Sequence, residues 1–119
     1  MIEPIDDVLK DRGNTYFNIP TDQISPKIDA ILFMYTTWSH SFLQLAQLLK
    51  SLKSFPDIAL FIFDTDDPNT DLIKSAFDTY SDGWGETFWI KSGEIVNVKK
   101  KYDTTALNKL VENNNRLKF

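Results

Sequence analysis

Hydrophobic positions in this chain fall into blocks, and two of those blocks are continuous. Ala30 to Tyr35 reads A-I-L-F-M-Y and Ile58 to Phe63 reads I-A-L-F-I-F. Runs of that length without alternation predict strands buried on both faces. Between them Phe42, Leu45, Leu49 and Leu52 recur at steps of three and four, which predicts a helix. Trp38 closes the first strand and Ser39 stands at the N-cap position. Ser54-Phe55-Pro56-Asp57 breaks the helix. Two buried strands joined by one helix predict a right-handed parallel βαβ unit.

Weaker patterns fill in the rest. Ile5, Val8 and Leu9 give a short helix over Pro4–Arg12, ended by Gly13-Asn14. Thr15–Ile19 predicts a short strand stopped by Pro20, and Thr21–Lys27 predicts a connector or a single turn. Asp64–Asn69 is a loop. From Thr70, the residues Leu72, Ile73, Ala76, Phe77 and Tyr80 form a second helical stripe, followed by a turn at Ser81–Gly85. Thr87–Ile90 and Ile95–Val98 predict a hairpin around Lys91-Ser92-Gly93-Glu94. Asp103 caps a last helix carrying Leu107, Leu110 and Val111, and the polar end from Asn113 is expected to fray. The order is (α)β–βαβ–α–ββ–α. It predicts an α/β fold with a mixed sheet, a parallel half plus an antiparallel hairpin, and helices on both faces.

Composition narrows the function more than the fold. A length of 119 residues fits a single domain over 1–119. The formal net charge of −4 argues against a nucleic-acid or anionic-membrane surface. The chain has no cysteine, which excludes disulfides, thiol catalysis and zinc–thiolate sites. No leader pattern is visible and no apolar run reaches membrane-spanning length, so a cytoplasmic location is expected.

The order and spacing of these motifs resemble the thioredoxin fold over nearly the whole chain. Tyr35-Thr36-Thr37-Trp38 looks like that family's lead into its active-site helix. The acidic loop Asp64–Asn69 looks like its loop after the next strand. Gly85-Glu86-Thr87-Phe88-Trp89-Ile90-Lys91-Ser92-Gly93-Glu94 looks like its proline–threonine–apolar strand and Lys-x-Gly-Glu hairpin. The departures fall at the chemistry. The resemblance sets Ser39 and Phe42 where the family has cysteines, Phe33 where it has a buried acid, and Gly85 where it has a cis-proline. A helix N-terminus lowers the pKa of a cysteine, but it does not bring a serine hydroxyl to ionisation. A Cys→Ser change accounts for Ser39 alone, not for Phe42, Phe33 and Gly85 together. The resemblance therefore implies a redox-inactive relative with no cofactor.

The remaining candidate chemistry is sparse. His40 is the single histidine, and a catalytic role would need an acid partner and a nucleophile; a lone His at a helix start is more often a solvated side chain. One His without Cys makes no zinc site. Asp64-Thr65-Asp66 after an apolar strand resembles the first motif of haloacid-dehalogenase-type phosphatases, in which the pair works beside Mg²⁺. A short acidic loop after a strand is the blander outcome. Gly83-Trp84-Gly85 lacks the third glycine of a nucleotide loop. Lys99-Lys100-Lys101 reads as a solvated strand edge. These weights favour a non-catalytic protein-binding module. The role suited to its size and charge is an immunity or inhibitor protein that neutralises a basic toxin or enzyme. Two faces are candidates: a corner of Trp38, Ser39, His40, Phe42 and Trp84, and the acidic loops with Asp66, Asp67 and Asp82. The alternative is a Mg²⁺-dependent phosphohydrolase using Asp64 and Asp66.

Overall fold

The structure is a computed structural model that describes residues 10–36, 41–81, 85–100 and 106–117. Five strands, β1 (Thr15–Phe17), β2 (Ala30–Tyr35), β3 (Ala59–Asp64), β4 (Thr87–Lys91) and β5 (Glu94–Lys99), form one sheet in the order β1-β3-β2-β4-β5. The first three are mutually parallel, and β4 and β5 run antiparallel. The expected parallel βαβ half and antiparallel hairpin are both present. Among the described residues three full α-helices accompany them: α1 (Ser41–Ser51), α2 (Pro68–Phe77) and α3 (Ala106–Leu117).

The two continuous apolar runs are continuous because their strands are central. All six residues of β2 are buried. Their side chains alternate between two cores. Ile31, Phe33 and Tyr35 face α1 and α3, meeting Leu45, Leu48, Leu52 and Leu110. Ala30, Leu32 and Met34 face α2, meeting Ile73 and Phe77. Each fully buried leucine contributes about 1.5–3 kcal/mol of transfer free energy, so the stripe of α1 is held chiefly by its packing.

Several boundaries differ from the sequence pattern. β1 stops at Phe17, because Asn18 turns to φ 51° and its Oδ1 accepts from Asp64 N at 2.8 Å. β3 runs one residue beyond Phe63, to Asp64. α2 starts at Pro68, two residues before Thr70. Asp67 is its N-cap, accepting from Asn69 N at 2.8 Å, with Pro68 at the first helical position. α2 ends at Phe77, and Asp78 takes a left-handed conformation. Tyr80 therefore lies beyond the helix, edge-on to Phe88 at 5.2 Å, and Leu72 is 60% exposed instead of forming part of the buried stripe. The hairpin loop is only Ser92-Gly93, with φ 52° and 81°, the positive pair that suits the twist of a two-residue hairpin.

The polar C-terminal stretch does not fray within the described residues. Asn114 is fully buried. Its Oδ1 accepts from Trp89 Nε1 at 2.9 Å, and its Nδ2 donates to Ser51 Oγ at 3.0 Å and Ser51 O at 3.2 Å. Asn113 bonds Asn97 of β5. Two asparagines thus stitch α3 to α1 and to the hairpin. At the other end, Lys10 and Asp11 are helical, while Pro4–Leu9 and the expected cap Asp103 lie outside the described residues.

Candidate functional site

The described residues that border the corner singled out in the sequence, Thr36, Ser41 and Gly85, lie beyond the C-terminal end of β2, at the start of α1 and before β4. Their frame is built from backbone and hydroxyl contacts. Ser41 Oγ accepts from Thr36 N at 2.9 Å and donates to Thr36 O at 2.8 Å, tying the start of α1 to the residue after β2. Thr65 N donates to Tyr35 O at 2.9 Å, and the Thr36 and Thr65 hydroxyls are 3.3 Å apart, which draws in the acidic loop. Met34 N donates to Glu86 O at 2.9 Å, which brings up the segment before β4. Gly85 completes the corner at φ 81°. A Cβ built there would lie 3.0 Å from Phe33 Cζ, 3.2 Å from Ser41 Cβ and 3.2 Å from Gln44 Nε2. The fold therefore gathers Phe33, Ser41 and Gly85, far apart in sequence, into one contact.

By structure the chain is similar to thioredoxin O2 from Arabidopsis thaliana in its oxidized state, with a TM-score of 0.65 and 11% identity, covering 83% of this chain and 92% of that one. It is likewise similar to thioredoxin O1 from the same organism, also oxidized, with a TM-score of 0.60 and 13% identity over 82% and 95%.

The fold is thioredoxin-like. No protein-family model matches the chain, and no curated protein matches it by sequence. Within this thioredoxin-like frame the chain contains no cysteine, so it has no thiol for disulfide exchange, which fits a redox-inactive member. Phe33, which the resemblance sets where the family has an acid, is a buried ring with no proton to move. Ser41 Oγ is engaged with both backbone groups of Thr36.

Trp38, Ser39, His40, Asp82 and Trp84 lie outside the described residues, as does the expected trans bond between Trp84 and Gly85. Phe42 is partly buried and packs against the core shared by α1 and α3. Asp66 is exposed, whereas Asp67 is half-buried with its carboxylate engaged as the α2 cap. Asp64 Oδ1 accepts from Asp66 N at 2.9 Å, and Asp64 O accepts from Thr70 Oγ1 at 2.6 Å. These bonds shape the loop as a turn leading into α2. Among the described residues no group of three or more His, Asp or Glu is placed to hold a metal ion. Tyr35 pairs with Asp64 across β2 and β3, and its hydroxyl pKa is raised, first by burial and then by the Asp64 charge.

Two features escaped the sequence. Of the two acidic stretches in the sequence, Asp64–Asp71 and Asp78–Glu86, the second ends on Glu86, which is fully buried and leaves that surface. Asp22 joins the first one. Asn69 Oδ1 accepts from Thr21 N at 3.1 Å and Thr21 Oγ1 at 2.9 Å, and its Nδ2 donates to Ile19 O at 2.8 Å. This seats the 3-10 turn Thr21–Gln23 against the start of α2, so exposed Asp22 flanks a surface that already carries Asp66 and Asp71. The bonds span 48 to 50 residues, and no local pattern signals them. Among the described residues no helix is long and apolar enough to cross a membrane.

Proposed function

We propose that residues 1–119 form a single non-catalytic protein-binding domain that acts in the cytoplasm as an immunity or inhibitor protein against a basic toxin or enzyme. One observation carries the reading: the thioredoxin-like frame is kept, while its reaction corner is packed with Phe33 against Gly85 and has no thiol. A scaffold retained without its reactive groups is suited to recognition. The acidic surface of Asp22, Asp66, Asp67 and Asp71 supports a basic partner, since complementary charge raises association rates and suppresses wrong partners. The corner of Trp38, Ser39, His40, Phe42 and Trp84 is the rival face to these acidic loops, to which the sequence also assigns Asp82, and tryptophan burial there would supply hot-spot energy.

The test begins with the genes flanking this one. A neighbouring reading frame whose product arrests growth alone, but not when co-expressed with this chain, identifies the partner. The two products then co-elute as a complex. Charge reversal at Asp22, Asp66 and Asp71 weakens that complex most at low salt if the acidic face binds. His40→Ala and Trp84→Ala weaken it instead if the corner does. Turnover of insulin disulfides above the buffer rate would overturn the redox-inactive basis. Mg²⁺-dependent phosphate-ester hydrolysis lost in Asp64→Asn would make the chain an enzyme.

A further inference from the structure

A groove of about 690 Å³ opens between residues 11–13 on one side and the C-terminal half of α1 with the turn that follows it, as far as Pro56, on the other. Ala46, Leu49 and Leu52 give it an apolar floor, while Lys50 and Lys53 stand exposed beside it. Arg12 lies at its wall. The Arg12 Nη1 donates to Gly13 O, Asn14 O and Thr15 Oγ1 at 3.0–3.2 Å, and Nη2 donates to Phe55 O at 2.9 Å and Ile58 O at 2.6 Å. Every one of these partners is neutral. Burial lowers the guanidinium pKa below its ordinary value, with no carboxylate acting against that shift. A half-buried cation given only neutral acceptors favours an anion nearby.

The rest of the lining fits that demand. Among the described lining residues three cations, Arg12, Lys50 and Lys53, meet one acid, exposed Asp11, in a chain whose net charge is −4. The volume is that of a small-molecule site, and such sites combine a largely apolar lining with a few polar groups that fix orientation. Apolar floor and cationic rim together match a molecule with one hydrocarbon chain and one negative head.

We infer that this groove binds a single-chain anionic amphiphile, a fatty-acid carboxylate, with its head among Arg12, Lys50 and Lys53 and its chain along Ala46, Leu49 and Leu52. The head meets ammonium donors from the two lysines and the fixed charge of the arginine, whose Nη groups are already bonded. The inference does not depend on the protein-binding reading, which concerns other faces.

Sodium laurate, below its micelle concentration and at low salt, is titrated calorimetrically into the full chain. One saturable site is expected. Lys50→Glu combined with Lys53→Glu weakens it at least tenfold, and Ala46→Trp, which fills the groove from an exposed position, removes it. Both variants keep the native circular dichroism, and Arg12 is left alone because it clasps the fold. Absence of a saturable site in the full chain overturns the inference, and is the result expected if residues 1–9 or a protein partner take the groove. Equal affinity for dodecyltrimethylammonium, or undiminished laurate affinity in the lysine variant, overturns it as well.

Discussion

At Gly85 the backbone φ of 81° lies in the left-handed region, and the missing side chain leaves room for Phe33. A residue with a Cβ bears about 1–2 kcal/mol of backbone strain there, and the ring at 3.0 Å must also move. Gly85→Ala is therefore expected to lower stability by more than about 1 kcal/mol in urea denaturation. Part of that loss is specific to Phe33. In a double-mutant cycle, Phe33→Leu with Gly85→Ala should destabilise less than the two changes summed, by about 0.5 kcal/mol or more. Strict additivity would place the strain elsewhere. The same geometry explains why the proline implied by the resemblance cannot be restored by one substitution: proline holds φ near −65°, the wrong sign for this corner. The resemblance read in the sequence sets Phe33 and Gly85 where it implies an acid and a proline. It could not reveal that the two residues touch.

Helix α3 shows how an element can be misjudged by its composition. Asn113, Asn114, Asn115 and Arg116 read as a polar end, because sequence polarity normally reports solvent. The helix instead carries Asn114 into the core, where both ends of its amide are satisfied by Trp89 and Ser51. Asn114→Ala orphans the indole N–H and the Ser51 carbonyl, at about 1–3 kcal/mol per buried group. The loss should appear as an earlier urea midpoint in tryptophan fluorescence. Exposed Asn115→Ala should stay within about 0.5 kcal/mol of the parent. The strands were far more legible. β2 and β3 announce themselves through unbroken apolar runs, and the Ser92-Gly93 turn through its glycine. Helix α2 was half legible: its apolar stripe was visible, but Leu72 proved exposed because α2 covers the sheet with only one narrow edge, through Ile73 and Phe77. The candidate faces were the least legible, since Asp22 reaches the acidic surface only through contacts some 48 residues distant.

Across the whole molecule, the central sheet links stability to alkaline pH. Tyr35 is nearly buried beside Asp64, and its folded pKa lies above the ordinary 10.0. The unfolded chain therefore releases this proton first as pH rises. Stability contributed by the neutral phenol is complete below the unfolded value and is lost as pH climbs through the folded one. Urea midpoints measured at about pH 9 and pH 11 should fall for the parent protein. They should fall less for Tyr35→Phe, which has no proton to lose; an equal fall would remove Tyr35 from the account. The topology also carries a consequence for the order in which the chain is made. Among the described residues β1 pairs with β3 alone, and the Arg12 clasp that leads into β1 closes on Ile58, 46 residues further along. At a ribosomal pace of about 5–20 residues per second, the first strand to be synthesised waits about 2–9 s for its neighbour. Through that interval a nascent edge of backbone donors and acceptors stands open, so the molecule is most vulnerable to mispairing before its own centre has emerged.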